Sequence, residues 1–232
     1  MYARDARAGA DARPRPRFRG GSSSQTAARL LILLNSLGLE VGQSCDVPDA
    51  VRVIRSLTRL EKLDFWLRNP DYLADELMTE FEAGRLPDTL VRNHVARMLG
   101  DLADGHHYPM IRYHFGAYEV VDNALAKLRS IGLIAHRRDV EAGEHARHDY
   151  YLLRSGVDHA ERMHAELPEL NWYAQQAEAI GCLAESVQGA SARSRQYEQP
   201  EYRGARIGSE IPPIFDRARQ RAIELGLMEA AA

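Results

Sequence analysis

The most constraining feature of this sequence is a change in hydrophobic periodicity near Gly132. Between residues 116 and 131, apolar side chains recur three and four positions apart, which predicts an amphipathic helix that Gly132 ends. Two short β-prone runs follow, over residues 133–138 and 149–153, on either side of a polar stretch. Such a pair of runs around a polar tip predicts a β-hairpin.

The order of predicted elements around this hairpin indicates a fold class. Another helix is predicted after the hairpin, over residues 155–167. A helix, a Gly-Leu-Ile step, a hairpin and a further helix form the arrangement of a winged helix-turn-helix. We therefore predict a mainly α protein with a small β-hairpin, in which a winged helix-turn-helix-like core is flanked by N- and C-terminal helices.

Helical spacing also dominates the chain on either side of this core. Leucines three and four apart predict one helix over residues 49–68, and Asn69-Pro70 breaks it, with Asn69 as the cap of the next helix. We divide the chain into a disordered basic arm (1–24), a helical N-terminal region (25–104), a winged-helix-like region (105–167), and C-terminal helices with a connecting loop (168–232).

Composition excludes several classes of protein. The chain has 232 residues, of which 45% are hydrophobic and 27% are charged, as in ordinary globular proteins. A net charge of −3 excludes a basic coat for nucleic acid or membrane. Cys45 and Cys182 are far apart, which predicts two reduced thiols. With no secretion signal and no apolar run long enough to span a bilayer, we expect a cytoplasmic protein without membrane contact.

The sequence offers no pattern that is typical of catalysis. None of the nine histidines has a Cys, Asp or Glu partner at a recognisable ligand spacing, and His159 and His164 lie on different faces of one helix. The nucleotide-binding and nucleophile-elbow glycine motifs are also missing. We therefore predict a protein that is not an enzyme and has no metal site and no cofactor.

Basic side chains concentrate at the predicted hairpin and at the helix before it. The hairpin carries His136 and His148 besides its arginines, and such groups donate charge-assisted hydrogen bonds to phosphates. The predicted contacts to the DNA backbone are Lys127, Arg129, Arg137, Arg138 and Arg147. The helix also carries Glu119 and Asp122, and it lacks an Asn or Gln pair that would read adenine. Protein docking, nonspecific DNA contact and sequence-specific readout therefore stay open as uses of this fold.

Two groups of aromatic residues are candidates for contacts with a partner protein. Phe65 and Trp66 are about 100° apart on one helix, so both cannot point into a narrow core stripe. Tyr197, Tyr202 and Arg203 lie in a long polar connection that orders against a partner or forms a surface loop. We predict these five residues as the partner interface, and packing by a neighbouring helix is the alternative for the first pair.

Several short motifs occur in an order that is more specific than any one of them. They are Arg59-Leu60-x-x-Leu63-Asp64-Phe65-x-x-Arg68-x-Pro70, Leu128-x-x-x-Gly132-Leu133-Ile134, Tyr150-x-Leu152-x-x-x-Gly156, Trp172, Ile180 and Tyr197-x-x-Pro200-Glu201. In this order the chain resembles the middle components of bacterial ABC-three-component systems, which include Lamassu-type anti-phage operons. The resemblance covers about residues 28 to 212; the basic arm and the tail after Pro212 depart from it.

The resemblance implies a non-catalytic accessory subunit. Such proteins link an SMC- or Rad50-like ABC ATPase to an effector subunit, often a nuclease, in an anti-phage or anti-plasmid complex. DNA would be contacted indirectly or through nonspecific backbone contacts. The alternative is a winged-helix transcriptional regulator that binds DNA as a dimer.

Overall fold

Helices form most of the computed structural model, which describes residues 22–100, 111–113, 116–118, 121–139, 147–183 and 198–229. The α-helices in these ranges are α1 (Ser23–Leu37), α2 (Leu57–Arg68), α3 (Pro70–Glu82), α4 (Asp88–Leu99), α5 (Asp122–Ser130), α6 (Arg154–Glu166), α7 (Asn171–Leu183), α8 (Pro200–Gly204) and α9 (Phe215–Glu224). A 3-10 turn, Pro168–Leu170, precedes α7. Within the described ranges, every helix is too short or too polar to cross a membrane.

The strands form one small antiparallel sheet and a separate hairpin. They are β1 (Leu39–Glu40), β2 (Ala50–Arg55), β3 (Ile111–Tyr113), β4 (Gly116–Tyr118), β5 (Ile134–Asp139) and β6 (Arg147–Leu153). The four-stranded sheet has the order β1-β2-β6-β5, and β3 pairs only with β4. The prediction of a mainly α fold with a β-hairpin is confirmed, and β5 and β6 form that hairpin.

The prediction of one helix over residues 49–68 is wrong in its first part. Residues Ala50–Arg55 form β2, which pairs with β6, and only Leu57–Arg68 are helical. Val53 and Ile54 are buried in the sheet, and β-branched side chains fit a pleated surface well. Ser56, with φ at 72°, turns the chain from strand to helix, and its hydroxyl accepts a hydrogen bond from the Arg59 N–H. The leucine spacing therefore described α2 alone.

The predicted helix over residues 116–131 is also shorter than expected. Gly116–Tyr118 form β4, and α5 begins only at Asp122. The helix still ends as predicted, because Gly132 adopts a φ of 70°, which favours glycine. The change from strand to helix in this region depends on the pairing of β4 with β3, which no local pattern reveals.

The junction between α2 and α3 lies where the sequence predicts it. Helix α2 ends at Arg68 and α3 begins at Pro70, whose fixed φ suits a first helical turn. The expected capping role of Asn69 is wrong, since its side chain makes no cap hydrogen bond to α3. Instead, its Nδ2 donates to the Phe65 carbonyl at 2.7 Å, which satisfies the end of α2.

Helix α1 lies at the centre of the molecule. Its Leu30, Leu31, Leu33 and Leu34 are fully buried, so the helix is covered on more than one side. It packs against α2, α5, α6, α7, β2 and β6. Ser22 and Gln25 form a capping box at its start, and Gly38 ends it. The positions of the hairpin and of α5 therefore depend on α1.

A buried charge cluster joins α1 to α2. The Asp64 carboxylate lies 2.5 Å from Arg29 Nε and 3.0 Å from Arg68 Nε, and all three side chains are buried. Burial by itself would raise the pKa of the Asp64 carboxyl, but Arg68 and Arg29 outweigh burial and hold this pKa below its usual range. The cluster keeps a charge inside the core only because its two guanidiniums surround the carboxylate.

The C-terminal segment (residues 198–229) docks against α2 and α3. Tyr202 is fully buried and makes edge-on ring contact with Phe65, with 5.8 Å between the ring centroids. Asp75 of α3 accepts hydrogen bonds from Gln199 and Arg221 at 2.7 Å each. An aromatic anchor and buried polar bonds thus hold this segment to the helical body.

We predict that Asp64→Asn lowers the free energy of unfolding by about 3–5 kcal/mol, because it leaves two buried guanidiniums without their counter-ion. Urea unfolding at pH 7 measures the change. The control is Asp46→Asn, which removes an exposed acid that pairs with Arg137 and should cost at most about 1 kcal/mol. Equal losses in the two variants would contradict a structural role for the buried cluster.

We predict that Tyr202→Ala releases the C-terminal segment and lowers the free energy of unfolding by about 3 kcal/mol, because it empties a fully buried aromatic site. Limited proteolysis with mass spectrometry should then show cleavage within residues 198–229. The matched control, Arg206→Ala, changes an exposed residue in the same segment. Wild-type protease resistance in Tyr202→Ala would show that the polar bonds suffice to dock the segment.

Candidate functional site

The β5–β6 hairpin has two faces with different chemistry. Strand register pairs His136 with Tyr150 and Arg138 with His148, while Arg137 pairs with Asp149. Because successive side chains alternate between the faces of a sheet, the first two pairs share one face and the third lies on the other. We call the face with His136, Arg138, His148 and Tyr150 the histidine face.

On the opposite face, acidic residues of the chain pair with the arginines. Arg147 contacts Asp149 at 2.8 Å and Asp139 at 2.6 Å, and Asp149 itself is buried. Arg137 lies 3.3 Å from the exposed carboxylate of Asp46. Both arginines are predicted DNA contacts, but the fold uses them in intramolecular ion pairs. This face is therefore close to electrically balanced.

The histidine face carries a pair of directly bonded rings. His136 Nε2 lies 2.8 Å from His148 Nδ1, so one ring donates a hydrogen bond to the other. The two rings are nearly parallel, with centroids 5.0 Å apart, and the ring of Tyr150 stacks on His136 from the strand beside it. Tyr150 is buried, whereas both histidines are partly exposed. The pair therefore lies where solvent and solutes reach it.

Burial lowers the pKa of His136, and the neighbouring His148 and Arg129 lower it further. Asp149 opposes this effect from the other side of the strand. Because Arg129 belongs to α5 and acts on both His136 and Tyr150, α5 presents its basic end to the histidine face. Near neutral pH, His136 is therefore an uncharged ring beside a permanent positive charge.

The basic residues that remain on this side differ in how they are bonded. Lys127 of α5 donates a hydrogen bond to Ser24 Oγ at 2.6 Å, which ties α5 to the start of α1. Arg129 and Arg138 are exposed, and within the described part of the chain neither has a hydrogen bond or an ion pair through its side chain. Of the five predicted DNA contacts, these two are therefore presented to solvent without an acidic partner in the described residues.

Acidic residues of α2 and α5 act on Tyr150. Burial raises the pKa of Glu61 to about 7, with further contributions from the carboxylates of Asp122 and Asp64. Burial also raises the pKa of Tyr150 to about 12, with contributions from Asp122 and Glu61. Sequence reasoning missed Glu61 and Tyr150 in this site, since only the strand register brings Tyr150 against His136 and only the packing of α2 brings Glu61 near Tyr150.

The structure corrects the predicted partner interface. Phe65 and Trp66 are only 1% and 2% exposed, because residues 62–68 of α2 are all buried, and Tyr202 is 0% exposed. These three aromatics are core residues and offer no surface to another protein. Arg203 is exposed, while Tyr197 lies outside the described residues. The alternative of packing by neighbouring elements is the one that the structure bears out for Phe65 and Trp66.

Two further features of the structure are a cysteine–histidine contact and a cleft between helices. Cys182 Sγ lies 4.0 Å from His94 Nε2, and burial together with Glu178 raises the pKa of this thiol. A cleft of about 230 Å³ lies between α1, α6 and α7; its lining includes Ile32 and Leu170. Among the described residues, no three His, Cys, Asp or Glu side chains are grouped to hold a metal ion.

Comparisons with known proteins assign this chain to no family. No protein-family model, curated protein or solved structure matches it. What the chain does is therefore inferred from its own residues and from the motifs in its sequence.

We predict that Glu61→Gln stabilises the protein above pH 7. There the folded state holds a charged, partly buried carboxylate, whereas below its ordinary pKa of 4.5 the group is protonated in both states and costs nothing. Urea unfolding should show a gain of about 1 kcal/mol at pH 8 that disappears by pH 4.5. The exposed Glu161→Gln serves as the control, and a pH-independent gain in Glu61→Gln would contradict the assignment.

Proposed function

We propose that this chain is a non-catalytic accessory subunit. It links an SMC- or Rad50-like ABC ATPase to an effector, such as a nuclease, in an anti-phage or anti-plasmid defence complex. The observation that carries the proposal is the position of the longest motif by which the sequence resembles ABC-three-component middle components. Leu60, Asp64 and Arg68 of this motif form the buried joint between α1 and α2, and Pro70 opens α3. Two proteins with the same fold are expected to resemble each other most in the residues that build their core.

The proposal includes a winged-helix unit made of α1, β2, α2, α5, β5 and β6. In this kind of unit, a strand that precedes the second helix pairs with the last strand of the wing. Here β2 precedes α2 and pairs with β6, and the sheet order β2-β6-β5 follows. Helix α1 packs against both α2 and α5, as the first helix of such a unit does.

Residues 70–120 then form an insertion between the second and third helices of the unit. This interval contains α3, α4 and the β3–β4 hairpin. An ordinary helix-turn-helix has a tight turn at this point. The insertion accounts for the long stretch of sequence between α2 and α5.

A surface that suits contact with another protein also supports the accessory-subunit proposal. The cleft between α1, α6 and α7 is lined in part by apolar side chains, and Leu167, between α6 and α7, is 41% exposed. Exposed apolar side chains beside a concave surface are typical of protein interaction sites. The elements that form this cleft are not the elements that carry the histidine face.

A winged-helix transcriptional regulator is the second candidate function. The observation that favours it is the exposure of Arg129 and Arg138 on the helix and hairpin that face DNA in winged-helix regulators. A regulator would select one DNA sequence from a random pool, whereas an accessory subunit would select none. At the start of α5 the exposed residues are Asp122 and Asn123, and the Asp122 carboxylate repels phosphate.

We predict that the tagged chain, recovered from its native host, brings with it a coiled-coil ABC ATPase in stoichiometric amount. Mass spectrometry identifies the protein, and DNase treatment should not change its recovery. Leu167→Glu should reduce recovery at least tenfold because it places a charge on an exposed apolar residue between α6 and α7, two of the helices that form the cleft, whereas the control Ile207→Glu, at another exposed apolar residue, should not.

Two outcomes would count against the accessory-subunit proposal. One is recovery of the chain alone, or as a dimer with DNA that DNase removes, which is the behaviour of a regulator. The other is full assembly of the ATPase with its effector when this chain is absent.

A further inference from the structure

The histidine face carries positive charge that the described residues do not neutralise. On the opposite face of the same hairpin, Asp139 and Asp149 pair with Arg147. The exposed guanidinium of Arg138 on the histidine face and that of Arg129 on the adjacent α5 have no such partner within the described ranges. One face of the hairpin pairs its arginines with acids, whereas the positive charge on the other face has no acidic partner in the described residues. The second face is therefore suited to an anionic ligand.

The histidine pair adds hydrogen-bond donors to these two charges. One inner proton bonds His136 Nε2 to His148 Nδ1, and in the described part of the chain the two outer ring nitrogens have no partner. In the neutral pair, one outer nitrogen carries a proton and the other carries a lone pair. A single added proton goes to that lone pair, and both outer nitrogens then donate while the inner bond remains. A second proton would place N–H against N–H and break the pair.

We propose that Arg129, Arg138 and the His136–His148 pair bind the phosphate backbone of nucleic acid, and that uptake of one proton by the histidine pair strengthens this binding. Arginines and protonated imidazoles donate charge-assisted hydrogen bonds to phosphate oxygens, and such contacts carry no sequence information. The proposal goes beyond the accessory role because it gives this chain its own contact with nucleic acid. The ATPase is not needed for it.

The direction of the pH effect follows from the charges that face the pair. Arg129 on α5, Arg138 on β5 and the stacked Tyr150 on β6 face the histidines, Asp149 acts from the other side of the sheet, and Glu61 and Asp122 face Tyr150. Burial and the positive neighbours keep the pKa of His136 below its usual range in the free protein. A bound phosphate cancels that repulsion, so binding takes up a proton between the free and bound pKa values. Affinity therefore rises as pH falls, by at most about tenfold per pH unit for one proton.

The experiment uses the full chain and a labelled 20-base-pair duplex of arbitrary sequence, with fluorescence anisotropy at pH 7.5 and pH 5.5 in a fixed salt concentration. We expect affinity about five- to tenfold higher at pH 5.5. Arg129→Ala with Arg138→Ala should weaken binding at both pH values and reduce the salt slope by about two. Arg137→Ala, which removes the partner of Asp46 on the opposite face, is the matched control and should change affinity less than twofold.

The histidines are tested by His136→Gln and, separately, by His148→Gln. In each variant the affinities at pH 7.5 and pH 5.5 should differ less than twofold, because the gain on protonation is lost, and circular dichroism checks that each variant folds. Proton NMR of the wild-type imidazoles should also show a higher pKa for the pair when the duplex is added. A gain at low pH that survives in both variants, an unchanged affinity in the double arginine variant, or binding to anionic vesicles but not to the duplex would overturn the proposal. None of these results depends on whether the ATPase is recovered.

Discussion

The Asp64 carboxylate between Arg29 and Arg68 is the interaction on which the rest of the structure depends. It joins α1 to the end of α2 in the interior, where an unpaired charge would be too costly to keep. Helix α1 then provides the surface against which α5, α6, α7 and the sheet pack. The hairpin and the helix that carry the histidine face are thus oriented by a charge cluster that no solute reaches.

Charged residues have two different uses in this molecule. On α3, Asp71 and Asp75 are buried and accept hydrogen bonds from the C-terminal segment, among them the Ile214 N–H at 2.7 Å. On the hairpin, one face balances its arginines with acids, while Arg138 on the other face and Arg129 of the adjacent α5 are exposed. The first use holds the fold together, and the second provides a surface for an anionic partner. In the proposed accessory subunit, this surface and the cleft beside Leu167 would serve different partners.

Predictions from the sequence are correct where the signal is local, and they fail where the pairing of distant segments decides the structure. The β5–β6 hairpin, the α2–α3 break at Pro70 and the end of α5 at Gly132 follow from turn residues and proline geometry. The strand Ala50–Arg55 was taken for helix because its partner, β6, lies about a hundred residues further along the chain. Phe65 and Trp66 were assigned to a surface because a helix wheel assumes one solvent-exposed side. Residues 62–68 of α2 have none, since α1, α3, α7 and the sheet pack against this helix and Tyr202 contacts Phe65.

The sequence by itself determined the helical character of the chain, the position of the hairpin and the presence of basic residues on it. These depend on periodicity and on backbone preferences, which act over a few neighbouring residues. Only the tertiary structure decided which arginines remain exposed. Strand register places Arg147 beside Asp139 and Asp149, and it brings His136 against His148. Register and packing depend on contacts between residues that are distant in the chain, so identical side-chain types became ion pairs on one face and a candidate binding site on the other.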